Sequence, residues 1–193
     1  MTRILVVQGH PDTREPHLCH KLAEAYVSGA EEGGHQIRRL ELGGMDFPLL
    51  RSRADWIGPN VPPAIARAQE SMLWAEHLVI LFPLWLGGMP ALLKGFLEQL
   101  LRPGFAVRRG KGLEFEPLLK GRSAHIVVTM AMPALVYRLY FRAHALRLLR
   151  RNMLGFVGIR TVRETLVGSA DRLSDQALDS RFASMRRRGR AAN

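Results

Sequence analysis

The sequence predicts an open α/β fold in three layers, with five parallel strands between two layers of helices. Short apolar runs rich in β-branched residues alternate along the chain with segments whose apolar residues recur at helical spacing. Parallel neighbours need a crossover connection, usually a helix, so this alternation favours a parallel sheet. The 193 residues fit one domain, covering 1–193, that is large enough to bury a core without a disulfide or a metal.

The strands are predicted where apolar runs are bounded by turn residues. The second of them is the least clear, because Arg38 and Arg39 interrupt it, and the third is the clearest. The five predicted strands lie at residues 3–8, 37–42, 77–82, 124–130 and 159–167.

The helices are predicted where apolar residues are three or four positions apart. Gly33 and Gly34 end the first helix, Pro62 or Pro63 starts the second, and Ser174 caps the last. The predicted helices lie at residues 18–32, 63–75, 90–101, 140–154 and from 174 onwards. The tail at 186–193 is strongly basic and is expected to be frayed.

Composition excludes several classes of protein. The apolar content of 47% excludes a disordered chain, and a single cysteine, Cys19, excludes a disulfide scaffold and a four-cysteine zinc site. No run reaches the roughly 18 apolar residues of a spanning helix, and the first strand leaves no room for a signal peptide, so we expect a soluble, cytoplasmic protein without a metal site. The net charge of +11 favours anionic partners such as dinucleotides, nucleic acid or phospholipid.

The loop after the first strand is a candidate phosphate site. Ligands of such sheets bind beyond the carboxyl ends of the strands, and the loop at 9–17 leads into a helix N-terminus, which suits phosphate. His10, Arg14 and His17 could add charge or donors. The glycine fingerprint of dinucleotide folds and the P-loop signature are both missing. An ordinary connection with solvated polar residues remains the alternative.

The loops after the third and fourth strands are the other candidates. The loop at 82–90 is apolar and Gly-rich, so it either packs against protein or receives a flat apolar ligand beside Trp85. The loop at 129–133 leads to Tyr137 and His144, which could donate protons or cover a ring, or could simply lie on the surface.

These loops resemble one family. The matching segments are Gly9-His10-Pro11, Asp46-Phe47-Pro48, residues 75–79, Phe82-Pro83-Leu84-Trp85 running on to 89–96, Gly104-Phe105-Ala106 and 118–122. Over about residues 3 to 165 the chain resembles the flavodoxin-like NAD(P)H:quinone oxidoreductases of the DT-diaphorase type. That family also includes ancillary proteins of potassium efflux systems.

The resemblance implies a flavodoxin-like sheet of order 2-1-3-4-5, a homodimer, and ping-pong hydride transfer from NAD(P)H through FMN or FAD to a quinone. It implies two catalytic residues, Tyr137 and His144, which help to stabilise charge as hydride leaves. It also implies a set of flavin-binding residues: His10, His17, Leu18, Cys19, Pro83, Leu84, Trp85, Leu86, Thr129, Met130, Ala131 and Met132.

The chain departs from the family at three of these places. The phosphate loop has His17-Leu18-Cys19 where the family has Ser-Phe-Asn, and Met130-Ala131-Met132 replaces a Thr-Gly-Gly turn. Val107, Arg108 and Arg109 stand where the family has aromatic residues over the substrate.

The sequence therefore favours a flavin-dependent NAD(P)H dehydrogenase that reduces a quinone or a related electrophile. The alternative is a flavin-binding ancillary subunit of a membrane transport system with little turnover. A flavodoxin-type electron carrier is disfavoured because such carriers are acidic, and specific nucleic-acid binding is disfavoured because the basic residues are scattered. The basic helix at 137–151 could also lie on an anionic membrane, or cover the sheet.

Overall fold

The computed structural model describes residues 1–110 and 114–192. Its strands are β1 Arg3–Gln8, β2 Gln36–Glu41, β3 His77–Pro83, β4 Val107–Arg109, β5 Phe115–Pro117, β6 Ser123–Thr129 and β7 Arg160–Val167. Five of them form one parallel sheet in the order β2-β1-β3-β6-β7. When only the five strands of this sheet are numbered along the chain, the order is 2-1-3-4-5, which confirms the prediction. The antiparallel pair β4 and β5 was not predicted from the sequence.

The helices cover both faces of the sheet. They are α1 Leu18–Glu32, α2 Arg53–Ile57, α3 Pro63–Trp74, α4 Ala91–Leu100, α5 Ala134–Leu139, α6 His144–Arg147, a π-helix at Leu148–Gly155, and α7 Asp175–Ala191. Side chains alternate between the faces along each strand, so Ile4 and Val6 pack against α1 and α7, whereas Leu5 and Val7 pack against α3 and α4. Strand β3 is buried along its whole length, as its continuous apolar run predicts.

The predicted helix at 140–154 is wrong in its start and in its regularity. Arg142 and Ala143 both have a left-handed backbone, with φ of 52° and 49°, and they separate α5 from α6. The break lets the chain fold back on Tyr137, whose carbonyl accepts the N–H of Ala143 and whose hydroxyl accepts the N–H of Leu146. Burial of these groups therefore overrides the helical periodicity of the sequence.

The basic segment differs from the frayed tail expected at 186–193, because α7 continues to Ala191; Asn193 lies outside the described residues. Arg186 and Arg190 both form ion pairs with Glu32 at the end of α1. Gly189 is buried against the backbone of α1. Pairing and close packing together keep this basic segment helical.

Two buried imidazoles make the fold sensitive to acid. Burial lowers the pKa of His77 to about 4 and, with help from the charge of Arg188, that of His125 to about 3. Because the unfolded chain takes up these protons near pH 6.5, the stability is fully present above that value and falls as the pH drops towards 4. We expect the free energy of unfolding to fall by about 1.4 kcal/mol per pH unit for each imidazole in this window.

Denaturant titrations at pH 7 and pH 5 measure this change. A His77→Gln variant should show a shallower pH dependence than the unmodified protein. Equal free energies of unfolding at the two pH values would contradict the assignment of both imidazoles as neutral in the folded state.

Of the described residues, no helix combines the length and the apolar character needed to cross a bilayer.

Candidate functional site

Three loops meet where β1, β3 and β6 end. They are the connection from Gly9 to His17, the turn that follows Pro83, and the segment from Thr129 to Met132. Parallel pairing places all three at the same edge of the sheet, beside the N-terminus of α1. This edge is where ligands of open α/β sheets bind.

Three histidines surround the start of α1. The rings of His10 and His17 are stacked with their centroids 4.0 Å apart, and the ring of His20 lies 5.2 Å from that of His10. The Nδ1 atom of His10 accepts the N–H of Asp12 at 3.1 Å, and Nδ1 of His20 accepts the N–H of His17 at 3.1 Å. A neutral imidazole that accepts through Nδ1 carries its proton on Nε2, so both rings keep a second nitrogen as a donor.

The cluster leaves donors without acceptors. The Nε2 atom of His20 is buried and has no hydrogen-bond partner among the described residues, whereas Nε2 of His17 lies 3.4 Å from a carboxylate oxygen of Asp12. Helix geometry also leaves the first N–H groups of α1, those of Leu18 and Cys19, without intrahelical acceptors. Buried donors at the positive end of a helix dipole suit a phosphate group, so the residues present fit the phosphate of a flavin mononucleotide.

The charge of the histidine cluster depends on the protonation of its imidazole rings. Burial lowers the pKa values of His10 and His20, and the neighbouring His17 lowers both further. Arg14 binds Asp12 through two contacts of 2.9 Å and holds the pKa of that carboxyl well below its usual range. At neutral pH, His10 and His20 are therefore mainly neutral, and an anion at this site would favour their protonation.

The segment after Pro83 forms a tight turn. The N–H groups of Trp85 and Gly88 donate to each other's carbonyls at 2.9 and 2.8 Å, and Leu86 and Gly87 have φ of 47° and 75°. Leucine is strained in this left-handed region, and its side chain here is fully exposed. Trp85 is half exposed and lies edge-on to the ring of His10 at 6.0 Å.

The hydrogen bonds of this turn limit which backbone N–H groups could contact a flavin. The N–H of Leu84 donates to the carbonyl of Thr129 at 2.8 Å, and that of Trp85 is taken by Gly88. Pro83 has no N–H. Of the four predicted flavin-binding residues at positions 83–86, only Leu86 therefore keeps a backbone donor without an acceptor among the described residues.

The third loop contributes packing more than polar contacts. Thr129 and Met130 are buried, Met132 is half buried and Ala131 is exposed. The Thr129 hydroxyl lies 3.1 Å from the Cys19 sulfur, and burial raises the pKa of the Cys19 thiol to about 12. The Cys19 side chain therefore belongs to the core, and only its backbone faces the site.

The structure separates the two predicted catalytic residues. Tyr137 is only 1% exposed, and its hydroxyl accepts the N–H of Leu146, so it does not reach the cleft and the expected proton donation has no support. Burial also raises its pKa. His144 is exposed and lines a cavity of about 600 Å³ together with the turn at residues 86–89.

Sequence reasoning missed three residues of this edge. His20 completes the imidazole cluster, and its spacing of three residues from His17 on a helix was the available signal. Arg147 and Arg151 line the same cavity as His144, because the break after α5 returns the chain to the Trp85 turn. No periodicity in the sequence indicates that break.

Comparison with known proteins identifies relatives that match most of the chain. A family model described as "Flavodoxin-like fold" matches residues 2–188. The chain is 25% identical to an uncharacterized NAD(P)H oxidoreductase of Haemophilus influenzae, over 90% of this chain and 87% of that protein. It is 26% identical to an FMN-dependent NADH:quinone oxidoreductase of Ruegeria pomeroyi, over 67% and 70% of the two chains. A solved NAD(P)H:quinone oxidoreductase from Methanothermobacter marburgensis superposes with a TM-score of 0.81 at 20% identity, covering 100% of this chain and 99% of that one.

Proposed function

This chain belongs to the family with the flavodoxin-like fold, and from that premise we propose that it is a flavin-dependent NAD(P)H dehydrogenase that reduces a quinone or a related electrophile by two electrons. The observation that carries the proposal is the set of unsatisfied donors at the start of α1, namely Nε2 of His20 and the first N–H groups of the helix, close to the half-exposed Trp85. Relatives named as FMN-dependent NADH:quinone oxidoreductases support both the cofactor and the reaction class.

FMN is the flavin that this site fits. Its phosphate would be held by Nε2 of His20 and by the first N–H groups of α1, while Trp85 and Leu86 would lie along the ring. The chemistry that a bound flavin supplies is acceptance of hydride from NAD(P)H and delivery of two electrons to the acceptor, in ping-pong order. The apolar turn would exclude water from the ring edge, and the N–H of Leu86 would donate a hydrogen bond to it.

The cavity beside the turn is the proposed substrate entrance. His144, Arg147 and Arg151 line it, and they are cationic or protonatable groups close to Leu86. Guanidinium groups pair with phosphate through two parallel hydrogen bonds, so the arginines would hold a phosphate of NAD(P)H. His144 would donate a hydrogen bond to a quinone oxygen as negative charge develops there.

A homodimer is the proposed assembly. Helix α5 and the residue pair that follows it expose a continuous set of apolar side chains: Leu135, Val136, Leu139, Tyr140 and Phe141. An exposed apolar patch of this kind is typical of an interaction surface. Sedimentation at several concentrations tests the dimer, and a monomer at every concentration would contradict it. The cytoplasmic location of the protein also stays a prediction.

The function is tested by incubation with FMN and with FAD, desalting, and addition of NADH or NADPH under anaerobic conditions. We expect retained flavin absorbance with FMN, bleaching by at least one nucleotide, and recovery when a soluble naphthoquinone is added. Protein that retains neither flavin would refute the proposal. Protein that retains flavin without turning over would favour the ancillary-subunit alternative.

The His144→Gln variant examines the substrate side. We expect kcat/KM for the quinone to fall about tenfold, the effect of losing one charge-stabilising donor, while flavin retention is unchanged. The matched control is His35→Gln. His35 follows the C-terminal end of α1, whereas the proposed site lies at the N-terminal end of that helix. A His144→Gln enzyme with unchanged kinetics would remove this residue from the mechanism.

A further inference from the structure

The outer edge of the sheet carries a group of arginines whose charge is not balanced by the described residues. Arg163 lies on the edge strand β7, and Arg187 and Arg188 lie near the end of α7. Together with Ser184 they line a cavity of about 300 Å³ between the strand and the helix. The ion pairs of α7 involve only the flanking Arg186 and Arg190, within the part of the chain that the structure describes.

Two of these guanidinium groups are partly buried without partners. The Nε atoms of Arg163 and Arg188 are shielded from solvent and have no hydrogen-bond acceptor among residues 1–110 and 114–192. A buried donor of a charged group is costly unless it is paired, and arginine does not lose its charge in a protein. The fold therefore holds donors here that an acceptor from outside the chain would satisfy.

Like charges make the arrangement more costly still. Burial, followed by the charges of Arg163 and Arg187, lowers the pKa of Arg188, as expected where the three side chains line one cavity. Repulsion between such close charges is strong where water is partly excluded. An anion in the cavity would turn this repulsion into attraction.

The acidic residue of the adjoining cavity does not neutralise these arginines. Glu164 lines an adjoining cavity of about 380 Å³ with Arg138, Arg181 and Arg188. Its carboxylate is already paired with Arg150 at 2.9 Å. The described lining of the two cavities therefore has an excess of positive charge.

We propose that the cavity between β7 and α7 binds a phosphate-type oxyanion through Arg163, Arg187, Arg188 and the hydroxyl of Ser184. The planar fork of guanidinium matches phosphate through two parallel hydrogen bonds, and the cavity has room for a phosphate group or a larger molecule that carries one. Inorganic phosphate and the phosphate of a small nucleotide share this chemistry.

This site is separate from the one proposed for flavin. Arg163 is in register with His125 near the start of β6, whereas the histidine cluster lies beyond the carboxyl ends of the strands. The strand from His125 to Thr129 alone spans about 13 Å. The inference therefore does not depend on flavin binding.

The test measures binding of inorganic phosphate to the full chain by calorimetry in the presence of one equivalent of FMN, because excess FMN carries a phosphate that would compete, with chloride at equal ionic strength as the reference. We expect one phosphate per chain, and at least about tenfold weaker binding in each of Arg163→Gln and Arg188→Gln. Arg67→Gln is the matched control, because it removes the same charge from an exposed position on α3 and should leave the affinity unchanged.

Thermal unfolding in chloride separates binding from a structural role. If the site is built for an anion, removing one of the repelling charges should leave Arg188→Gln at least as stable as the unmodified protein, while phosphate should no longer stabilise it. Adenosine monophosphate as a second probe distinguishes the sources, since tighter binding than phosphate indicates a nucleotide. No phosphate-specific binding, or binding by both arginine variants as tight as that of the unmodified protein, would overturn the proposal.

Discussion

The Gly189→Ala substitution is expected to lower the free energy of unfolding by roughly 3 kcal/mol, because it forces a methyl group into the backbone of a neighbouring helix. A Cβ atom at this position would lie 1.9 Å from the carbonyl oxygen of Tyr26. The contact is reciprocal, since a Cβ at Gly29 would lie 1.9 Å from the carbonyl oxygen of Arg186. Backbone atoms in two packed helices cannot move aside as a flexible side chain can.

Denaturant unfolding measures this effect, and Gly44→Ala is its control. A Cβ at Gly44 would meet no atom within 4 Å, so that variant should be within about 0.5 kcal/mol of the unmodified protein. In an exposed helix, alanine would instead stabilise relative to glycine by up to about 1 kcal/mol. A Gly189→Ala protein as stable as the original would show that α1 and α7 are not in backbone contact.

The affinity for FMN is expected to rise about tenfold between pH 8 and pH 6.5. Burial keeps His10 and His20 neutral in the free protein at neutral pH, and a bound phosphate dianion would raise both pKa values. Protons are then taken up on binding, so affinity increases as the pH falls, by up to tenfold per pH unit for each proton. Asp12 and Glu24 act on His20 in the same direction as the phosphate.

Riboflavin is the control for this prediction, because it has the same ring and no phosphate. Its affinity should be independent of pH over this range, and His20→Gln should flatten the pH dependence for FMN while leaving riboflavin unaffected. Fluorescence quenching titrations of both flavins provide the measurement. Equal pH dependence for the two flavins would place the titrating groups away from the phosphate.

The sheet was predictable from the sequence because its signals are local. Apolar runs identified the five strands of the sheet, and their alternation with amphipathic segments indicated parallel pairing, whereas the order of the strands was implied by the family resemblance. The cap of α7 was also predictable, since Ser174 accepts the N–H of Ala177 through its side chain. Residue types at short spacing were enough for each of these features.

Features that depend on distant contacts were not predictable. The tail at 186–193 reads as a polar, basic segment, and only Glu32 and the glycine contact with α1 explain why it is helical. The same applies to Tyr137, whose aromatic ring and hydroxyl suggested a role in catalysis. The left-handed pair Arg142 and Ala143 buries that hydroxyl, and neither residue type favours such a backbone.

The candidate site was predictable in outline and not in detail. Its three loops were identified because parallel strands bring their carboxyl ends to one edge. The roles within the loops depend on hydrogen bonds that the sequence does not specify, such as the pairing of Trp85 with Gly88 that leaves Leu86 as the remaining backbone donor.

The close contact between α1 and α7 also has a consequence for the order of biosynthesis. The two helices are held together by residues 154 positions apart, so the outer face of α1 remains uncovered until α7 has been made. At 5 to 20 residues per second this is a delay of roughly 10 to 30 seconds, during which Leu22 and Tyr26 lack their final neighbours. Ribosome-bound chains that end before Asp175 should therefore bind chaperones more strongly than chains that include α7, which pull-down of stalled chains can measure.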